Sequence, residues 1–175
     1  MIATLTGFMG SGKSSVGRKL SALAQAAFID LDDYIVEKYG RSIPELFSEE
    51  GEKGFRRRES EALKEVLEAA ACDSKELSLI LSLGGGTIVC EENAALLHEK
   101  STVIFLRAKL ETLEMRLEGG KDKRPLLKNH SISPLLAERT PLYESNSDII
   151  IDTDALNTTE VAQLIIESLK YYNRE

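Results

Sequence analysis

The chain is poor in the residues that build metal and disulfide sites: its 175 residues include two cysteines and two histidines. Cys72 and Cys90 form no C-x-x-C pair and His98 and His130 stand apart, so no zinc-ligand spacing exists, and two thiols are too few for a disulfide scaffold. By the usual habits of these types, the cysteines read as small buried hydrophobes and the histidines as surface or capping residues. Basic charge is lacking too. Lys+Arg number 22 against 29 Asp+Glu, a net charge of −7 with an isoelectric point near 5.1, the reverse of the basic face a nucleic-acid binder carries. No apolar run approaches the ~20 residues of a membrane span. Ile2–Thr6 has no basic segment before it and is shorter than the roughly 7–15-residue core of a secretory signal. A soluble, cytoplasmic protein with neither a nucleic-acid nor a membrane partner is expected. There is no internal repeat, low-complexity tract or linker.

What is present suffices for one compact unit. Hydrophobic residues make up 42% of the chain, and at about 150 residues per domain the length predicts a single domain over 1–175. Ile2–Thr6 is a short β-branched run that stops at Gly7. A glycine-rich turn then leads into a helix from Lys13 to Gln25, in which Val16, Leu20 and Leu23 recur at helical spacing. Ala27-Phe28-Ile29 is a second small strand ending in Asp30, Asp32 and Asp33, followed by a short helix closed by Gly40. Ser42 and Glu45 have capping-box spacing with Pro44 in the first turn, and Glu52–Ala71 reads as a long amphipathic helix in spite of Gly54. Leu77–Leu83 is a nearly continuous apolar run ended by Gly84-Gly85-Gly86, the pattern of a central strand covered on both faces. Thr102–Leu106 and Ile149–Ile151 are further strands, with a helical stripe of Leu110, Leu113 and Leu117 between them. Asn157 and Glu160 open a last helix with Val161, Leu164, Ile165 and Leu169 as its buried stripe. The order β-α-β-α-α-β-α-β-α-α-β-α predicts an α/β fold, a parallel sheet with helices on both faces. Between Glu118 and Asn129 a basic, glycine-containing stretch without apolar periodicity reads as a flap.

Gly7-Phe8-Met9-Gly10-Ser11-Gly12-Lys13-Ser14 fits G-x-x-x-x-G-K-[ST], placed after a strand and before a helix as a phosphate-binding loop requires. Rough residue frequencies put a chance match at about one per cent over this length. Backbone N–H groups of such a loop and the helix N-terminus cradle a polyphosphate, Lys13 reaches the β/γ oxygens, and Ser14 offers its hydroxyl to Mg²⁺. Gly10, Ser11, Gly12, Lys13, Ser14 and Ser15 are therefore the candidate nucleotide-phosphate-binding residues, and the loop alone does not separate kinase, GTPase and ATPase. No N-K-x-D-type guanine reader is evident. Acids and arginines instead cluster near the C-terminal rim of the expected sheet, which favours phosphoryl transfer to a small molecule.

The segments GFMGSGKS, FIDLDD (28–33), GEKGFRRRE (51–59), LGGG (83–86), RPLL (124–127) and ERTPLYE (138–144) together resemble the shikimate kinase family, in the family's order and over most of the chain. The resemblance implies a three-layer α/β/α P-loop fold of the nucleoside-monophosphate-kinase type, with a five-stranded parallel sheet in the order 2-3-1-4-5. It implies transfer of the ATP γ-phosphate to the 3-hydroxyl of shikimate, in aromatic amino-acid biosynthesis, with Mg²⁺, and a monomer is expected. It further implies a substrate-binding segment over about 32–60 and a lid over about 112–124. Asp32 resembles the carboxylate that binds the shikimate hydroxyls and takes the attacking hydroxyl's proton. Asp30 resembles the acid that holds Mg²⁺ with Ser14, whereas Asp33 matches no family role. Arg56 and Arg139 resemble the two arginines that clamp the shikimate carboxylate, with Glu59 helping to hold Arg56. Gly84, Gly85 and Gly86 match the glycine triplet that lets backbone approach substrate and γ-phosphate, and Arg124 matches the lid arginine.

Successive helical residues turn by about 100°, so Arg56, Arg57 and Arg58 cannot all face one cleft, and Arg57 and Arg58 are expected to be solvated. Two positions depart from the family: Ser15 stands where Thr is frequent, and Asp152-Thr153-Asp154 where the adenine-side loop often reads D-T-N. Two rival readings remain. Another small-molecule P-loop kinase, such as a gluconate kinase, would share loop, fold and lid but not the Arg56, Arg139 and Asp32 set. A non-catalytic nucleotide-binding protein would keep the fold while losing one of Lys13, Asp32 or Arg124.

Overall fold

A computed structural model describes residues 1–70, 77–118 and 132–172. Its strands are β1 (Ile2–Thr6), β2 (Ala27–Asp30), β3 (Leu79–Ser82), β4 (Thr102–Arg107) and β5 (Ile149–Asp152). Its helices are α1 (Lys13–Ala24), α2 (Leu31–Tyr39), α3 (Ile43–Ala70), α4 (Glu91–Lys100), α5 (Leu110–Glu118), α6 (Ser133–Ser145) and α7 (Thr158–Tyr172), with a 3-10 turn at Thr87–Val89. The five strands form one parallel sheet in the order β2-β3-β1-β4-β5. Both the order of elements and the order of strands agree with the expectation.

The sheet is apolar on both faces where helices cover it, which is why β1, β3 and β4 read as continuous hydrophobic runs. Alternation along β1 splits the core. Ile2 joins Leu63, Leu81 and Val103 on the side of α2–α6, while Ala3 and Leu5 join Leu20, Ile80 and Ile165 on the side of α1 and α7. β3 lies inside the sheet between β2 and β1, but the central strand is β1, and Leu77 falls outside the ladder. β2 and β5 are the edges, so Ile150 is 40% exposed.

Two predicted core positions are exposed. On α7 the buried face is Val161, Ala162, Ile165 and Leu169, and at ~100° per residue Leu164 falls off its flank. Leu23, near the end of α1, is also exposed, whereas Val16 and Leu20 are buried.

The capping box forms at Ser42: its N–H and Oγ–H donate to Glu45 Oε2 at 2.7 Å each. The helix it opens and the long amphipathic one join as α3, interrupted by Gly51 at φ 69°, ψ 179°. That conformation is essentially restricted to glycine. The kink explains Gly54. It folds Glu50 back so closely that a Cβ at position 54 would lie 2.4 Å from the Glu50 Cβ. Arg58 corrects the expectation of a solvated side chain, because its guanidinium meets Glu50 through Nε at 2.8 and 2.9 Å and through Nη2. Arg57 does remain largely in solvent.

Candidate active site

The loop between β1 and α1 curls because Gly10 and Gly12 take φ 83° and 95°, with Gly12 as the N-cap of α1. Lys13 and Ser14 open the helix, and Ser15 is exposed beside them. The Lys13 ammonium donates to the Gly7 and Phe8 carbonyls at 2.8 and 3.0 Å, which holds it over its own loop. Ser11 is buried, and its hydroxyl has no hydrogen-bond partner among the described residues.

At the end of β2, Asp30 caps α2 by accepting the Asp32 N–H on Oδ1 at 3.2 Å. Its other oxygen accepts the Ser14 hydroxyl at 2.6 Å. Phosphate loop and strand-end acid are thereby joined. Ser14 and Asp30 are an all-oxygen pair of the kind magnesium completes with water and phosphate oxygens. Among the described residues, no cluster of three or more His, Cys, Asp or Glu forms a metal cage of protein ligands alone.

Asp32 lies two residues on, in the first turn of α2. Burial, reinforced by the neighbouring Asp30 and Glu59 carboxylates against the opposing Lys13 charge, pushes its pKa from 3.8 up to about 6. A carboxyl so placed remains mostly ionised near neutrality while holding a proton far more strongly than an exposed aspartate. Asp33, by contrast, points outward to a loose ion pair with Arg18 at 3.7 Å.

The glycine turn after β3 is where the groups meet. A Cβ on Gly84 would lie 2.8 Å from Asp32 Oδ1, and one on Gly86 would lie 2.6 Å from Arg56 Nη2. One on Gly85 would sit 3.8 Å from Arg139 Nη1, from the Gly7 carbonyl and from the Met9 N–H nitrogen. Three consecutive residues thus touch the acid, the phosphate loop with the second arginine, and the first arginine. Side chains at 84 and 86 would displace the groups they face.

Each arginine is held from behind. Arg56 Nη1 donates to Glu59 Oε2 at 2.7 Å, and Glu59, 1% exposed, accepts the Thr87 hydroxyl on Oε1 at 2.7 Å. Arg139 Nη1 donates to the Gly85 carbonyl at 3.2 Å, and the buried Tyr143 hydroxyl donates to the same oxygen. The Tyr143 ring lies 5.2 Å from that of Phe105 on β4. Thr87 and Tyr143 are the members that sequence reasoning missed. Tyr143 follows Arg139 by four residues and so shares its helix face, which was the one available signal.

The structure brings together Gly10, Ser11, Gly12, Lys13, Ser14, Asp30, Asp32, Arg56, Gly84, Gly85, Gly86 and Arg139. Arg124 and residues 119–124 of the expected lid lie outside the described residues, and residues 112–118 belong to α5. The Asp152-Thr153-Asp154 segment is tied into the rim. Asp152 accepts from Arg107 Nε at 2.6 Å, Asp154 accepts the Lys109 N–H at 2.9 Å, and Arg116 Nη2 donates to the Thr153 carbonyl at 2.9 Å. Between that rim and Phe8 of the phosphate loop lies a cavity of about 460 Å³.

A parallel β2-β3-β1-β4-β5 sheet with a phosphate loop after β1, and with Asp32, Arg56 and Arg139 gathered at the same rim, defines a P-loop phosphotransferase of the nucleoside-monophosphate-kinase type. Within that class the chain belongs to the shikimate kinase family, whose model, described as shikimate kinase, matches residues 9–170. A shikimate kinase of Dictyoglomus turgidum is 42% identical over 171 residues, 95% of this chain and 96% of that protein. The solved shikimate kinase from Acinetobacter baumannii, in complex with shikimate, is 32% identical and superposes with a TM-score of 0.87 over 99% of this chain and 95% of that one. A gluconokinase from Sinorhizobium meliloti, 15% identical with a TM-score of 0.58 over 97% of this chain and 91% of that one, shares the fold alone.

Proposed function

We propose that the protein transfers the γ-phosphoryl group of ATP to the 3-hydroxyl of shikimate, giving shikimate 3-phosphate and ADP, as a single kinase domain over 1–175 acting as a cytoplasmic monomer. The observation that carries this reading is the glycine turn, which sets Asp32, the phosphate loop and two arginines around three successive residues. A phosphate loop alone is common to many nucleotide enzymes. A second anion site of two guanidiniums beside a partly buried carboxylate suits an acceptor bearing both a carboxylate and hydroxyls.

In this reading the loop residues Gly10–Ser15 and the N-terminus of α1 hold the polyphosphate. Lys13 leaves the Gly7 and Phe8 carbonyls for the β/γ oxygens, and Ser14 and Asp30 would hold Mg²⁺, which would supply positive charge to the transferring group. Arg56 and Arg139 fix the acceptor's carboxylate, the backbone of Gly84, Gly85 and Gly86 approaches the acceptor, and the substrate-binding segment over about 32–60 contributes Asp32 and Arg56. Asp32 accepts the 3-hydroxyl proton as the oxygen bonds to phosphorus and the bond to the β-phosphate oxygen breaks. Arg124 would add its charge to the transferring phosphoryl group.

An ADP-release assay with Mg-ATP and shikimate, gluconate or a nucleoside monophosphate tests the reading. Turnover with shikimate alone is expected. Turnover with another acceptor overturns the substrate while keeping the kinase, and silence with all three favours a binding protein.

A further inference from the structure

Glu59 is a buried carboxylate with both oxygens committed, one to Arg56 and the other to the Thr87 hydroxyl, each at 2.7 Å. Thr87 is itself fully buried and is fixed in turn. Its carbonyl accepts from Asn93 Nδ2 at 3.0 Å, its N–H donates to the Gly84 carbonyl at 3.2 Å, and Asn93 is 2% exposed. The chain of contacts runs from α4 through the 3-10 turn to α3 and ends on the guanidinium beside Gly86.

A buried ion pair holds its geometry only when the remaining lone pairs are satisfied. With Arg56 as its sole partner, the Glu59 carboxylate could rotate about its last side-chain bond and take the arginine with it. The Thr87 hydroxyl removes that freedom and keeps Oε2 on Nη1, so that Nη2, which lies beside Gly86 with only a loose 3.8 Å contact to the exposed Glu52 carboxylate, is presented to an incoming anion. We infer that Thr87 is a positioning residue, which through Glu59 orients Arg56 toward the carboxylate of the acceptor. This rests on the proposed function, because it presumes a carboxylate acceptor. Position 87 therefore requires a hydroxyl rather than merely a small β-branched side chain.

Thr87→Val keeps the shape and removes the donor, whereas Thr87→Ser keeps the donor. The expected result for Val is a rise of about tenfold in KM for shikimate, the scale of one lost hydrogen bond to a charged group. Its kcat and KM for ATP should stay within about twofold of wild type, and Ser should restore the shikimate KM to the same margin. With shikimate methyl ester, which presents no charge to Arg56, Val and wild type should turn over alike. An unchanged shikimate KM, an equal loss with acid and ester, or a failure of Ser to rescue would overturn the inference. If the Val protein does not fold, Thr87→Cys, a small weak donor, takes its place with an expected rise of severalfold, and an unchanged KM there counts equally against the inference. Wild-type silence with shikimate overturns the proposed function and this inference with it, whereas an active wild type with indifferent variants overturns the inference alone.

Discussion

Asp32 joins two properties that mutation separates. Its pKa is raised in the folded protein, so the folded state binds that proton more tightly than the unfolded chain does, and stability falls as pH rises from 3.8 through about 6. Above that range the ionised, buried carboxylate opposes folding by at most about 3 kcal/mol, at ~1.36 kcal/mol per pKa unit. Asp32→Asn should therefore raise the melting temperature at pH 7.5, with a gain that shrinks below pH 4, while phosphoryl transfer is lost. Calorimetry across pH reads the first effect and an ADP-release assay the second. As the proposed base, the same group predicts an acid limb near pH 6 in kcat/KM for the wild-type enzyme, since a base works only when deprotonated. Arg139 belongs to a different function. Arg139→Ala should raise the shikimate KM about tenfold or more and leave ATP binding near normal, and a large loss of ATP affinity by calorimetric titration would contradict the carboxylate clamp. These assignments were legible because their segments are contiguous and specific. Thr87 and Tyr143 were not, because a hydroxyl's worth here depends on which buried oxygen it meets after folding.

At the scale of elements, α3 shows what a sequence pattern conveys and what it withholds. The capping box at Ser42 and the amphipathic stretch after Glu52 were both readable, since each is a local regularity. Their junction was not: a glycine in the middle of helical residues signals weakness, not the angle it will take. Gly51 adopts φ 69° with open space around it, so backbone strain and not crowding requires glycine there. Gly51→Ala should destabilise the protein by ~1–3 kcal/mol and, because Arg56 rides on the segment the kink aims, raise the shikimate KM as well. Gly40, also at positive φ and in open space, serves as a control at the end of α2. Gly40→Ala should destabilise by ~1–2 kcal/mol and leave the KM unchanged. Urea midpoints and steady-state kinetics distinguish the two, and equal KM values for both variants would show that the kink does not aim the arginine. Gly54 and Arg58 follow from the same kink. Gly54 had no local reason in a helix and Arg58 was expected in solvent, and both are explained once Glu50 folds back between them.

In the whole molecule, the groups proposed to hold the acceptor come from distant parts of the chain: Asp32 from the start of α2, Arg56 from α3, the glycine turn after β3, and Arg139 from α6. A parallel sheet brings them to one rim, and the helices that carry them are anchored in the core layer containing Ile35, Phe55, Leu63 and Tyr143. An acceptor bound there bridges elements that unfolding must separate, so it should stabilise the whole fold rather than one loop. Linkage sets the amount: at a hundred times its Kd a ligand adds ~2.7 kcal/mol. For a chain of this size each kcal/mol moves the melting temperature by ~2–4 °C. Shikimate without ATP should therefore raise it by about 5–10 °C, and the same concentration should do little for Arg139→Ala. Charge supplies a further check, because a chain of net charge −7 attracts an anion through a local positive field, supplied among the described residues of the site by Lys13, Arg56 and Arg139. Salt screens solvent-accessible charges with a Debye length of ~10 Å at 0.1 M, so the shift at fixed shikimate should shrink between about 0.05 and 0.5 M salt. A shift of equal size with gluconate, or one indifferent to both salt and Arg139, would mean that the stabilising contacts are not made by the paired guanidiniums.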